Sequence, residues 1–75
     1  MPIDDIIGDI KEIYPGTLLL TKEQTAKITN RSENSLNRDI KNGTGIPYKQ
    51  SRDKGKVLYP IRNVAKWVLD TIITD

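Results

Sequence analysis

Residues 29–45, TNRSENSLNRDIKNGTG, hold four of the chain's five asparagines together with Arg31, Arg38, Lys41, Ser32 and Ser35, against only two large apolar side chains, Leu36 and Ile40. These side-chain types recognise bases and polyanions. Arg offers paired donors to guanine O6 and N7, Asn pairs with adenine N6 and N7, and Lys or Ser reaches phosphate oxygens. Other chemistries are closed by composition. With no Cys and no His, disulfides, thiolate or imidazole metal sites, Cys/His nucleophile pairs and haem attachment are absent. No acid pair, nucleophile–base pair or phosphate loop stands out, so the expected protein is not an enzyme and needs no cofactor or metal.

The spacing of these residues sorts them by face. Ser32 is an N-cap with Glu33 favourably placed behind it, and the helix it starts runs to about Asn42, where Gly43 supplies the C-cap. At about 100° per residue, Leu36 and Ile40 define a buried direction, and Asn34, Arg38, Lys41 and Asn42 fall roughly opposite it. Glu33 and Asp39 are expected nearer the buried edge, which leaves the outer face with cationic and amide groups and suits a polyanion.

A second helix has to carry this one. Thr21 begins T-K-E-Q, a capping-box pattern, and predicts a helix over about residues 22–28. Thr29, Asn30 and Arg31 then form a tight turn, with Asn30 suited to a left-handed conformation. After it, IPYKQ, the turn SRDKG and KVLYP predict a two-stranded hairpin with Gly55 at its tip and Lys49, Arg52, Lys54 and Lys56 along it. Ile61, Val64, Ala65, Val68, Leu69 and Ile72 recur at helical period and predict a last helix to about residue 73. At the other end, Ile3, Ile6, Ile7, Ile10 and Ile13 predict an acidic amphipathic helix over residues 1–16, ended by Tyr14, Pro15 and Gly16. TLLL reads as a brief extended piece before Thr21. Tyr14, Tyr48, Tyr59 and Trp67 are too scattered for a base-stacking platform and read as packing residues.

At 75 residues the chain is expected to be a single domain with a thin core, folded by hydrophobic burial alone. Charge is unevenly placed. Residues 1–20 carry one Lys against four acids, residues 21–62 carry ten Lys/Arg against four acids, and residues 63–75 carry one Lys against two acids. No apolar run approaches the roughly 20 residues that cross a bilayer, and the start is acidic where a secretory signal is basic, so a cytoplasmic location is expected.

The order LLLTKEQTAKI, SENSLNRDIKNGTGIPYK and VLYPIRNVAKWV resembles the excisionase and AlpA-type regulators, small winged-helix proteins of the MerR-like superfamily, over about residues 18–70. The matching positions are Leu20-Thr21, Glu23 and Ala26, then Ser32 with Ser35-Leu36 and Arg38, Gly43 to Pro47, and Tyr59 with Trp67. In two places the chain departs from the pattern. Ser35 replaces a Thr, and Thr29, Asn30 and Arg31 occupy a turn where apolar residues usually flank a Gly, which implies either poorer packing under the turn or an Arg31 freed for DNA. The resemblance implies a mainly α fold with a small β-hairpin, a winged helix-turn-helix over residues 18–73, preceded by the extra N-terminal helix. It implies double-stranded DNA as partner, bound to promote excision of an integrated element or to regulate transcription. An integrase, or a second copy on adjacent DNA, is a further partner. A longer dimerising coiled coil of the MerR kind is not expected.

The expected site follows. Arg31, Ser32, Asn34, Ser35, Asn37, Arg38 and Lys41 face the major groove; Lys49, Arg52, Lys54 and Lys56 form a wing on the backbone or minor groove; Thr21 and Lys22 meet the DNA backbone. A rival from a different class is a protein-interaction adaptor that holds its partner with the isoleucine-rich first helix and does not bind DNA.

Overall fold

The computed structural model describes residues 3–50 and 55–73, the side chains of 72 and 73 excepted. Four helices and three strands follow in the order α1 (Ile3–Ile13), β1 (Leu19–Thr21), α2 (Lys22–Thr29), α3 (Glu33–Asn42), β2 (Lys49–Gln50), β3 (Val57–Pro60) and α4 (Ile61–Ile73). Arg52 and Lys54 of the expected wing lie outside the described residues.

The helices start and stop where local chemistry dictates. Thr21 accepts the Gln24 N–H while the Gln24 side chain accepts the Thr21 N–H at 2.9 Å, a closed capping box. Ser32 caps α3 by accepting the Ser35 N–H at 3.1 Å, and Gly43, at φ +73°, ends it in the left-handed region. α1 ends as the Tyr14 N–H donates to the Ile10 carbonyl, and the Thr17 N–H then closes a turn on the Tyr14 carbonyl.

The sheet is larger than the expected hairpin. β1 pairs antiparallel with β3, setting Leu19, Leu20 and Thr21 against Pro60, Tyr59 and Leu58, so TLLL contributes a third strand and the order is β1-β3-β2. The cause is burial, because Leu20 and Tyr59 sit opposite each other and both are fully enclosed. The outer arm is correspondingly shorter than IPYKQ. Only Lys49 and Gln50 pair, with Leu58 and Val57, while Ile46 leaves the strand path to enter the core. Pro60 has no N–H to continue the ladder, and the next donor, Ile61 N–H, reaches the Leu18 carbonyl at 3.1 Å. β1 runs directly into α2 and β3 directly into α4, with no loop residue at either junction.

The core joins Ile6 and Ile10 of α1, Leu20, Ile46, Val57 and Tyr59 of the sheet region, and Ile61, Val64 and Ala65 of α4. Each isoleucine, leucine or valine among them stabilises the fold by about 1.5–3 kcal/mol when fully buried. α1 packs chiefly on α4, and Ile3 and Ile7 lean on the same cluster. The isoleucine face is thus largely core rather than a free partner surface, and only Ile13 of that set remains exposed. Tyr14, Tyr48 and Trp67 also pack against the cluster. No helix among the described residues is long and apolar enough to cross a membrane.

Among the described residues one buried side-chain group is unsatisfied. Thr25 is fully buried, and its hydroxyl has no hydrogen-bond partner among the described residues. Thr25→Val keeps the shape and removes the unpaired hydroxyl, so it is expected to stabilise the protein by about 1 kcal/mol, raising the thermal midpoint by roughly 4–8 °C. A melting temperature at or below that of the parent would show that the hydroxyl is satisfied in solution.

Candidate nucleic-acid interface

The turn between α2 and α3 is tight because Asn30 adopts φ 55°, ψ 39°, and the Arg31 N–H returns to the Ala26 carbonyl at 3.0 Å. A short polar side chain tolerates this left-handed conformation better than a branched one. α3 is then seated by Leu36, which is fully buried, and by half-buried Ile40. Asn34, Asn37, Arg38, Lys41 and Asn42 are exposed. Asn37 is tied sideways by the Lys22 ammonium, which donates to its Oδ1 and carries a cation from the start of α2 onto the α3 face.

The hairpin adds exposed Lys49 and Lys56. Thr21, Lys22, Glu23, Glu33, Gly55, Lys56 and Val57 line one open groove of about 380 Å³, which places the start of α3 beside the loop-proximal end of β3. Glu33 corrects the helical-wheel expectation. It is exposed, because α3 begins there and the first turn projects past the cover that buries Leu36. It favours the positive end of the helix, and together with Glu23 it sets two carboxylates against Lys22 and Lys56. The outer surface free of carboxylates is therefore the part of α3 from Asn34 onward.

Ser32 and Ser35 are occupied locally. The Ser32 hydroxyl caps α3 and donates to Ser35 Oγ at 3.1 Å. Thr21 is likewise engaged in capping α2.

Arg31 does not join the exposed face. Its Nη1 lies 2.7 Å from Asp39 Oδ2, with the two side chains 24% and 23% exposed, and its guanidinium lies 5.6 Å from the Trp67 ring centroid. Beneath the turn the space is filled by an arginine held by a carboxylate from α3 and an aromatic face from α4. Asp39 is in turn fixed by its own backbone, whose carbonyl accepts the Thr44 N–H at 2.8 Å. Nearby Tyr59 has its pKa raised, first by burial and then by the Asp39 and Tyr48 charges, with Arg31 acting in the opposite sense. Sequence reasoning missed this latch because its three members come from separate elements and share no helical spacing.

Replacing Arg31 with Met is expected to cost about 1–2 kcal/mol, since Asp39 loses its partner while remaining partly solvated. Adding Asp39→Asn is expected to recover part of the loss. Urea denaturation followed by Trp67 fluorescence checks this, and strictly additive losses would show that the two residues are not coupled.

No family model, curated protein or solved structure matches this chain.

Proposed function

We propose that this protein is a winged helix-turn-helix DNA-binding protein of the excisionase or AlpA type, with α3 as recognition helix and the β2–β3 hairpin as wing. The observation that carries the reading is the division of α3. Leu36 and Ile40 seat one side, and Asn34, Asn37, Arg38 and Lys41 leave the other side exposed, amide-rich and cationic. A helix of this length spans about 15 Å, and its outer face fits a major groove about 12 Å wide.

Arg38, Asn34 and Asn37 read base edges, and Lys41, Lys22, Lys49 and Lys56 meet phosphates. Arg52 and Lys54, in the segment between the paired arms, add to the wing's contacts. Arg31, Ser32 and Thr21 act indirectly by holding the turn and the caps. The protein performs no reaction itself. It bends or marks a duplex for an integrase, or occupies a regulatory site, with a second copy on adjacent DNA.

Selection of bound sequences from a random duplex pool, followed by titration of the best site, tests the reading. Arg38→Ala is expected to cost about 1–3 kcal/mol and relax base preference, whereas Lys56→Ala weakens all sequences alike and makes the salt dependence shallower by about one unit. If both variants bind as the parent does, the site assignment is wrong. If no duplex is retained at about 50 mM salt, the DNA-binding reading itself falls.

A further inference from the structure

Among the described residues three large apolar side chains stand in solvent, all within positions 13–19: Ile13 at 62%, Leu18 at 73% and Leu19 at 38%. Their backbone is firmly held. The Leu18 carbonyl accepts the Ile61 N–H, Leu19 pairs with Pro60, and the turn between Ile13 and Leu18 is closed by the Thr17 N–H on the Tyr14 carbonyl.

Leu18 borders a groove of about 210 Å³ whose other walls are Ile7 and Lys11 of α1 and Pro60, Ile61 and Arg62 of the β3–α4 junction. The interior is apolar, and its rim is cationic. Lys11 and Arg62 are both exposed, and neither has a carboxylate partner among the described residues. By helical period Asp5, Asp9 and Glu12 lie well around α1 from the Ile7–Lys11 side, and Asp4 lies one turn back toward the N-terminus. The cations at the rim are therefore available to an incoming anion.

We propose that this groove docks a short acidic, apolar segment of another protein. Leucine-like side chains of that segment enter between Ile7, Leu18 and Ile61, while its carboxylates pair with Lys11 and with the fork of Arg62. A patch presented on ordered backbone needs no rearrangement to be filled on this side, and its small size sets a weak, transient contact. α3 contributes nothing to the groove, so the inference does not depend on DNA binding and allows both surfaces to be occupied together.

A displayed library of random 12-residue peptides, panned on the full chain, tests this. The DNA-facing cations also attract acidic peptides, so the informative quantity is the difference from Leu18→Asp, which leaves those cations in place. Peptides enriched on the parent and lost on Leu18→Asp are expected to combine Leu or Ile with Asp or Glu. A labelled representative, read by fluorescence anisotropy, is expected to bind at least about tenfold more weakly to Leu18→Asp and to Arg62→Glu, and replacing its acids with Lys is expected to restore binding to Arg62→Glu. Leu18 is exposed, so an unchanged thermal melt of Leu18→Asp separates loss of docking from loss of fold. Enrichment of basic peptides, equal recovery on Leu18→Asp, or a concentration-dependent dimer in sedimentation that Leu18→Asp abolishes would each overturn the proposal, the last by making a second copy the occupant.

Discussion

Gly45→Ala is expected to lower stability by about 2–4 kcal/mol, whereas Gly43→Ala, two positions earlier, lowers it by only about 1 kcal/mol. Both glycines have positive φ, +84° and +73°, so both substitutions incur backbone strain. Their surroundings differ. A Cβ at Gly43 meets nothing within 4 Å, but one at Gly45 falls 2.7 Å from both Cβ and Oδ2 of Asp39. Asp39 cannot easily yield, because its Cβ is fixed by the helix and its carboxylate holds Arg31. Alanine at Gly45 must therefore push the end of α3 away or break the ion pair beneath the turn. In a chain of 75 residues, whose total stability is on the order of 4–11 kcal/mol, that is a large fraction. Paired chemical denaturation curves check the difference, and equal losses at the two sites would remove the steric explanation.

The second large effect is the salt dependence expected of the proposed duplex contact. If Lys22, Lys41, Lys49, Arg52, Lys54 and Lys56 together neutralise about five phosphates, log K falls against log salt with a slope of roughly −4 to −5. Raising salt from about 50 to 200 mM is then expected to weaken binding by about 500-fold. The prediction discriminates because the same cations, if they merely solvate an edge, give almost no slope. Glu23 and Glu33, which share the groove with Lys22 and Lys56, oppose a phosphate placed there. Glu33→Gln thus provides an internal comparison within the same titration. Titrations at four or five salt concentrations measure the slope, and one shallower than about −1 is incompatible with the proposed contact surface.

What was legible in the sequence is the chemistry that acts over three or four residues. Thr21 with Gln24, Ser32 as the cap of α3, Asn30 in the turn and Gly43 at the end of α3 act on chain neighbours, and their residue types alone imply the caps and the turn. The β1–β3 pairing was not legible. A three-residue strand has little propensity of its own, and its partner lies at the far end of the chain, so only burial of Leu20 against Tyr59 identifies it. Glu33 was misplaced because a helical wheel treats the first turn as though it had the cover of the middle. For the candidate site, the residues of the outer α3 face follow from Leu36 and Ile40. The inward commitment of Arg31 depends on Asp39 and Trp67 lying close together, which only the tertiary structure arranges.

The two loop-free junctions, Thr21 into Lys22 and Pro60 into Ile61, bear on how any large partner is accommodated. Thr21 is both the last residue of a strand and the cap of a helix, and the Pro60 ring admits no swivel in φ. The sheet, α2 and α4 are thereby welded at two corners, and the latch beneath the turn adds a third fixed point for α3. Neither of these two junctions leaves a loop residue in which hinge motion could concentrate. If α3 and the hairpin hold a duplex as proposed, these fixed junctions shift adaptation toward the nucleic acid, and steps that kink easily are then expected to be favoured even where no side chain touches them.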